Sequence, residues 1–133
     1  MADSTGELHV ELVAVDRNVY SGEASMVIAR TTEGELGILP GHAPLLGELA
    51  PGGVVTIRST QGEDVVAAAH GGFLSVTPEA VSILAETAEI SSEIDVERAR
   101  EALRRAEQDG EDPEQLAAAR RAQSRLRAAG QSV

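Results

Sequence analysis

The sequence contains no cysteine and no lysine, and its only aromatic residues are Tyr20 and Phe73. The lack of cysteine excludes disulfides, thiolate metal sites and a cysteine nucleophile. With two aromatic residues, the chain lacks the side chains on which nucleic-acid bases stack. Its 22 acidic residues and 11 arginines give a net charge of −11. Because phosphate backbones are bound by cationic side chains, nucleic acid is not expected as a partner.

Long apolar segments are also missing. No run approaches the roughly 18 residues that a membrane-spanning helix needs, and the N-terminus has no basic segment followed by an apolar one. We therefore expect a soluble, intracellular chain with no direct membrane insertion. Apolar residues still make up 42% of the 133 residues. This content suits one domain, or a small domain with an appendage, built around an aliphatic core.

Charge and composition change near residue 90. Residues 1–90 carry 13 acids and 3 arginines, whereas residues 91–133 carry 9 acids and 8 arginines. Eleven of the 13 glycines lie in the first part, and the second part is rich in Ala, Arg and Glu. We therefore predict a β-unit over residues 1–89 and a helical unit over residues 90–133.

The first unit has the pattern of half-buried strands. Leu8, Val10 and Leu12 alternate with more polar residues, which is the period of a strand with one face in a core. Short apolar runs follow, separated by turn signals that include Gly71-Gly72, and this spacing favours a sandwich or flattened barrel over a parallel sheet. The later runs are Leu36–Leu39, Val54–Arg58, Val65–Ala69, Phe73–Thr77 and Ala80–Ala85.

The second unit reads as a helical hairpin. An apolar stripe at helical spacing predicts a helix over about 95–108, which Gly110 can end. Asp112 can cap a second helix over about 113–128, whose thinner stripe runs from Leu116 to Leu126. Helices this short are marginal alone, so the hairpin must dock on another surface to be stable. We therefore expect it to be detachable.

Residues for catalysis are scarce. His9, His42 and His70 have no close spacing and no cluster of neighbouring ligands, so we interpret them as surface or turn histidines and predict no metal site. There is no nucleophile elbow, P-loop or dinucleotide-binding glycine motif. The sequence therefore predicts no catalytic residues and no enzyme activity of its own.

Two arrangements carry possible function. The stretch 33–45, EGELGILPGHAPL, is either turn chemistry or an exposed contact loop. In the helices, Arg98 and Arg105 share one face, and Arg121 and Arg125 share another. These arginines either converge on a polyphosphate or form surface ion pairs with acids of the first helix. The residues alone leave both alternatives open.

The motifs resemble those of one family. EGELGILPGHAPL at 33–45, GGFLSV at 71–76, ILAETAE at 83–89 and IDVERA at 94–99 resemble the epsilon subunits of bacterial F-type ATP synthases over nearly the whole chain. The resemblance implies a ten-stranded β-sandwich followed by an antiparallel two-helix hairpin. It also implies a non-catalytic rotor subunit at the cytoplasmic face of the bacterial plasma membrane, held there peripherally through the complex.

The resemblance further implies partners and sites. The β-unit is expected to bind the gamma subunit and the c-ring, with subunit contacts at Glu33, Glu35, Leu36 and His42. The hairpin is expected to restrain ATP hydrolysis by extending toward the alpha and beta subunits of the catalytic head.

Some members of the family bind ATP in the folded hairpin through a motif of the form I/L-D-x-x-R-A. No cofactor is required, and ATP would be a regulatory ligand; the alternative function is a nucleotide-sensing module. The connection EQDGEDPEQ differs from the longer ones of some relatives. The residues matching the ATP site are Glu89, Ile94, Asp95, Arg98, Ala99, Arg105, Arg121 and Arg125.

Overall fold

A computed structural model of the chain describes residues 6–108 and 112–131. Seven strands come first, and a short 3₁₀ turn at Ser91–Glu93 leads into two helices. The strands are β1 Leu8–Ala14, β2 Arg17–Thr31, β3 Gly34–Ile38, β4 Leu45–Glu48, β5 Gly53–Ser59, β6 Val65–Val76 and β7 Ala80–Ile90. The helices are α1 Val96–Gln108 and α2 Pro113–Ala128.

Five of the strands close into a barrel. Hydrogen bonding runs from β1 to β7, β6, β5 and β2 and returns to β1. β3 pairs with the second half of β2, and β4 pairs with the second half of β6. The pairs are antiparallel except β1 with β7, which is parallel, so the sheet is mixed. The prediction of a β-rich unit followed by two helices is confirmed.

The expected count of ten strands is wrong, since the described residues form seven. The difference arises because long strands change partners along their length. β2 pairs with β1 through its first half and with β3 and β5 through its second. β6 pairs with β5 through Val65–Ala69 and with β4 through Phe73–Val76. The predicted turn at Gly71-Gly72 is therefore the middle of a continuous strand.

The two glycines instead reverse the faces of the β6–β7 ribbon. Before them, Ala67 and Ala69 point into the core, whereas after them Leu74 and Val76 do. The inward positions on β7 change parity at the same level, with no shift in the pairing of the strands. Gly71 and Gly72 have φ of +67° and +107°, which other residues rarely adopt.

The barrel core is aliphatic, as the composition predicted. Its largest fully buried side chains come from every strand except β4: Leu8, Leu12, Val27, Ile38, Ile57, Leu74 and Ile83. Phe73 is 56% exposed and contributes nothing to this core. Packing therefore depends on branched aliphatic side chains and alanines from facing strands.

Side chains cap both helices at their start. Asp95 Oδ1 accepts a hydrogen bond of 3.1 Å from the backbone N–H of Arg98, at the first turn of α1. Asp112 accepts one of 3.0 Å from the N–H of Glu114, and Pro113 follows it at the first helical position. The predicted cap of the second helix is therefore confirmed. Gly110, predicted to end the first helix, lies outside the described residues.

The hairpin lies against the outside of the barrel. α2 contacts β5 and β6, and α1 packs on α2. A second apolar cluster, around Ala68, Ile94 and Ala128, fills the seam. Ser124 Oγ donates a 2.5 Å hydrogen bond to the carbonyl of Gly53 in this seam. We call these four side chains and the Gly53 carbonyl the seam.

The apolar stripe predicted for α2 is partly wrong. Leu126 is buried as expected, but Leu116 is 46% exposed. The buried positions of α2 are Ala122, Ser124, Leu126 and Ala128. They alternate because the sheet covers this half of the helix on one side and α1 covers it on the other. In the first half of α2, Leu116 lies on the exposed side of the helix.

Gly72→Ala is expected to destabilise the barrel by at least about 2 kcal/mol, because both the left-handed backbone and the space exclude a side chain. A Cβ at this position would lie 1.8 Å from the carbonyl oxygen of Leu84. The free energy of unfolding from urea titration measures the loss. Gly62→Ala is the matched control, since Gly62 has open space around it. Equal stability of the two variants would contradict the prediction.

Candidate functional site

A cleft of about 310 Å³ opens where the barrel meets the hairpin. It lies between the end of β7, the turn that follows, the start of α1 and the last turns of α2. We call it the hairpin cleft. Its lining residues are Glu89, Glu93, Asp95, Arg98, Ala99, Ala102 and Arg125.

An ion pair crosses the hairpin cleft. Arg125 of α2 donates from Nε to Oε1 of Glu89 on β7, and both side chains are about two-thirds buried. The pair joins the last helix to the last strand, so it exists only while the hairpin is docked. In this partly buried position it is screened less than a surface pair.

The acids of the cleft are held by different partners. Arg17 of β2 donates a 3.0 Å hydrogen bond to Glu93, which lowers the pKa of that carboxyl. Asp95 is engaged as the helix cap. None of the ion pairs in the described parts of the chain involves Arg98, whose exposed guanidinium borders the cleft. Arg98 is therefore available to an anion.

Of the eight residues that match the family's ATP motif, five line this cleft: Glu89, Asp95, Arg98, Ala99 and Arg125. Ile94 is buried beside them in the seam. Arg105 lies elsewhere, with 74% of its side chain exposed and its nearest acid, Glu101, 3.7 Å away. Arg121 lines a separate cavity further along α2. The fold thus brings Arg98 and Arg125 to one cleft and leaves Arg105 and Arg121 outside it.

The four candidate subunit-contact residues differ in exposure. Glu33 is exposed at the turn between β2 and β3, and Leu36 is half-buried against the barrel core. His42 Nδ1 donates a 2.7 Å hydrogen bond to the backbone carbonyl of Ala43. Glu35 is exposed opposite Arg30 and borders a cleft of about 550 Å³ that also reaches arginines of α2.

Sequence reasoning missed an exposed apolar patch on the barrel. Leu46, Phe73 and Leu84 are 71%, 56% and 57% exposed. Phe73 and Leu84 are directly opposed on β6 and β7, and β4 carries Leu46 along the other edge of β6. We call these three residues the apolar patch. The alternation of apolar and polar residues does not predict that Phe73 and Leu84 point outward, because the inward positions change parity at Gly71-Gly72 and this reversal is not visible in the sequence.

His70 was also misassigned, because it is neither a surface nor a turn residue. It lies on β6 beneath α2 and is 7% exposed. Neither ring nitrogen has a hydrogen-bond partner among the described residues. Burial, with the positive charges of Arg125 and Arg121, lowers the pKa of His70 to about 4. A buried polar group without a partner costs about 1–3 kcal/mol, so this position calls for a reason.

Two further findings concern the described residues 6–108 and 112–131. Neither helix there has the length and apolar character needed to cross a membrane. No three His, Cys, Asp or Glu side chains there are grouped as a metal site would require.

The barrel, the appended hairpin and the cleft between them define a class of protein. Residues 7–91 match the family described as "ATP synthase, Delta/Epsilon chain, beta-sandwich domain". The chain belongs to this family, whose epsilon chains are non-catalytic subunits of ATP synthase.

Individual relatives narrow the class to the epsilon chain. The chain is 57% identical to the ATP synthase epsilon chain of Streptomyces griseus, over 92% of this chain and 94% of that one. It is 56% identical to that of Streptomyces coelicolor, over 92% and 95%. Among solved structures, a chain in the Euglena gracilis mitochondrial ATP synthase (OSCP/F1/c-ring) matches with a TM-score of 0.79 and 26% identity, over 93% of this chain and 81% of that one.

Docking of the hairpin is expected to weaken as the pH falls from 6.5 toward 4. The docked state holds His70 neutral, with a pKa of about 4 against the ordinary 6.5, so protons favour the undocked state in this window. Above pH 6.5 the contribution is complete. Spin-label distances between Arg58→Cys on β5 and Glu107→Cys on α1 measure docking.

The control is the same pair of labels with His70→Ser. Both proteins keep Glu89, Arg121 and Arg125, the other charged groups that act on the ring, so their difference isolates the histidine. The pH profile should flatten in the variant. Identical profiles would show that His70 does not drive the change.

Proposed function

We propose that this chain is a rotor subunit of the central stalk of an F-type ATP synthase. In this proposal it joins the gamma subunit to the c-ring and restrains ATP hydrolysis through its helical hairpin. Family membership supports the assignment, as does the likeness to a chain in a solved F1/c-ring assembly. The chain would then lie peripherally at the cytoplasmic face of the bacterial plasma membrane.

The observation that carries the regulatory part is how little holds the hairpin to the barrel. The apolar side chains of the seam are two alanines and one isoleucine, with Val54, Val66 and Ala129 packed partly buried against them. Three polar contacts add to them, from Ser124 to Gly53, from Arg127 to Gly52 and from Arg125 to Glu89. Small side chains bury little apolar area, so this contact stabilises far less than the barrel core does. A hairpin held this way is readily exchanged onto a competing surface.

The competing surface in this proposal belongs to gamma and the alpha and beta subunits of the catalytic head. An extended hairpin would obstruct rotation in the hydrolysis direction, and a docked one would not. The barrel itself would stay attached through faces away from the hairpin. The apolar patch has the exposed aliphatic and aromatic area typical of such a permanent subunit contact. Glu33 and the exposed part of the loop at 33–45 supply a second contact.

Two variants with opposite expected effects on ATP hydrolysis test this function. Truncation after Glu93 removes both helices but keeps the Arg17–Glu93 pair, so hydrolysis by the reconstituted complex should rise. Ser124→Ala leaves the buried Gly53 carbonyl without its donor, which costs about 1–3 kcal/mol of docking. The extended form should then gain population, and hydrolysis should fall.

The matched control is Ser21→Ala, at an exposed position of β2 that pairs with β1, whereas the hairpin contacts β5 and β6. It should leave hydrolysis unchanged. Hydrolysis that is indifferent to truncation would refute the inhibitory role of the hairpin, while gamma binding by the truncated chain would separately test the stalk assignment.

A second candidate function is ATP binding in the hairpin cleft. Arg98 and Arg125 lie on different helices and border the same space, and guanidinium groups suit polyphosphates. To engage both, the phosphates must compete with Glu89 for Arg125. A nucleotide contacting both helices and β7 would favour the docked hairpin and so relieve inhibition.

Arg98→Ala is expected to weaken ATP binding by the isolated chain about tenfold or more, since one charge-assisted contact to phosphate is lost. Arg105→Ala is the control on the same helix, because that side chain is 74% exposed and outside the cleft. Calorimetric titration with ATP measures both. An equal loss in the two variants would remove the cleft as the binding site.

A further inference from the structure

A second cavity, of about 420 Å³, lies between the barrel and the first half of α2. The polar side chains on its wall come from three elements. They are His70 on β6, Glu86 and Thr87 on β7, and Arg120 and Arg121 on α2. It shares no lining residue with the hairpin cleft. We call it the His70 cavity.

Much of this cavity wall is apolar, with Pro51 and Ala117 among its residues, but the polar side chains that face it are mostly hydrogen-bond donors. Neither Arg120 nor Arg121 forms an ion pair in the described parts of the chain. The imidazole of His70 has an N–H that meets no acceptor there, and Thr87 adds a hydroxyl. Glu86 is the one acid on the wall. Two cations and two neutral donors against one carboxylate leave an excess of positive charge and of unused N–H groups.

The electrostatic field at His70 agrees with this inventory. Arg125 and Arg121 act on the ring from α2, and Glu89 opposes them from β7. Burial is the main reason why the ring stays neutral and its pKa is low, and each of the two arginines adds more to this effect than Glu89 takes away. A negative charge near the ring would therefore be attracted, and its oxygens would accept the hydrogen bonds that the ring and the guanidinium groups lack.

We propose that the His70 cavity binds a phosphate group, held by the N–H of His70, the hydroxyl of Thr87 and the guanidinium of Arg121. The simplest ligand of this charge is the orthophosphate dianion. It is a tetrahedral acceptor with oxygens for donors on three sides, which matches donors that come from β6, β7 and α2.

Such a ligand would act on the hairpin. His70 and Thr87 belong to the barrel and Arg121 to α2, so the complete site exists only when the hairpin is docked. Binding to one state alone stabilises that state in proportion to the logarithm of ligand concentration. Orthophosphate, a product of ATP hydrolysis, would favour the docked form. The site needs neither the nucleotide cleft nor the inhibitory role proposed above.

The test is a titration of the full chain with sodium phosphate at pH 7, followed by NMR of the His70 ring and the arginine side chains. Sodium chloride at equal ionic strength is run beside it. Saturable shifts confined to His70, Thr87 and Arg121 are expected with phosphate alone. Arg121→Gln should weaken binding about tenfold or more, as the loss of one charge-assisted contact implies. His70→Leu should weaken it also.

Three further variants separate this site from others. Glu86→Gln should tighten binding, because it removes the opposing charge. Arg58→Gln, at an exposed position of β5, and Arg98→Gln, in the hairpin cleft, should leave phosphate binding unchanged. If Arg98→Gln abolishes the shifts, the phosphate sits in the nucleotide cleft and the proposal is wrong.

Equal shifts with chloride, or full binding by Arg121→Gln with its hairpin docked, would also overturn the proposal. The amide resonances of Gly53 and Ser124 report docking in every variant. Pyrophosphate and ATP form the last arm of the experiment. Tighter binding of pyrophosphate or ATP at the same residues would identify the ligand as the phosphoryl group of a larger molecule. Binding of pyrophosphate or ATP at Arg98 instead would show that these ligands use the hairpin cleft, and orthophosphate would remain the ligand of the His70 cavity.

Discussion

Contact between α2 and the outer face of β5 and β6 is the constraint on which the candidate sites depend. The hairpin cleft is walled by both units, and so is the His70 cavity. Each would disappear as a site if the helix moved away. The contact is made mostly from small and branched aliphatic side chains, hydrogen bonds from Ser124 and Arg127, and one ion pair. The same interaction that builds the sites is therefore weaker than the barrel core. A ligand bound at either site would therefore be linked to the position of the hairpin.

The contact between α2 and the barrel joins segments of opposite net charge. The chain carries a net charge of −11, yet residues 115–133 contain four arginines and no acid. Arg125 forms an ion pair with Glu89, and Arg120 and Arg121 line the His70 cavity. Arg127 donates a hydrogen bond of 3.4 Å to the carbonyl of Gly52. The helix that docks is thus the most positive segment, and it docks on an acidic barrel. Salt weakens the attraction between the helix and the barrel. Burial and the arginines of the helix disfavour protonation of His70 beneath it.

Local sequence signals predicted much of the fold, but they did not predict the features that depend on pairing between residues distant in the sequence. Alternation identified β1, the Asp112 cap located the start of α2, and the aliphatic core followed from the lack of aromatics. The strand count failed because Gly71-Gly72 reads locally as a turn, while the pairing of β6 with β7 on both sides of it makes one strand. The arginines of the candidate site divided for a similar reason. Spacing places Arg98 and Arg105 on one face of α1, but only packing against α2 and β7 decides which of them reaches a cleft.

The reversal at Gly71-Gly72 has a mechanical consequence. Before the glycines, the outward side of β6 carries Val66, Ala68 and His70, on which the hairpin rests; after them, the opposite side of the ribbon faces outward and carries Phe73. One pair of strands thereby carries the hairpin on one surface and leaves Phe73 exposed on the other. Release of the hairpin would break no hydrogen bond between β6 and β7, because backbone pairing lies in the plane between those surfaces. The strand pairing of the barrel would therefore stay intact if the hairpin moved away.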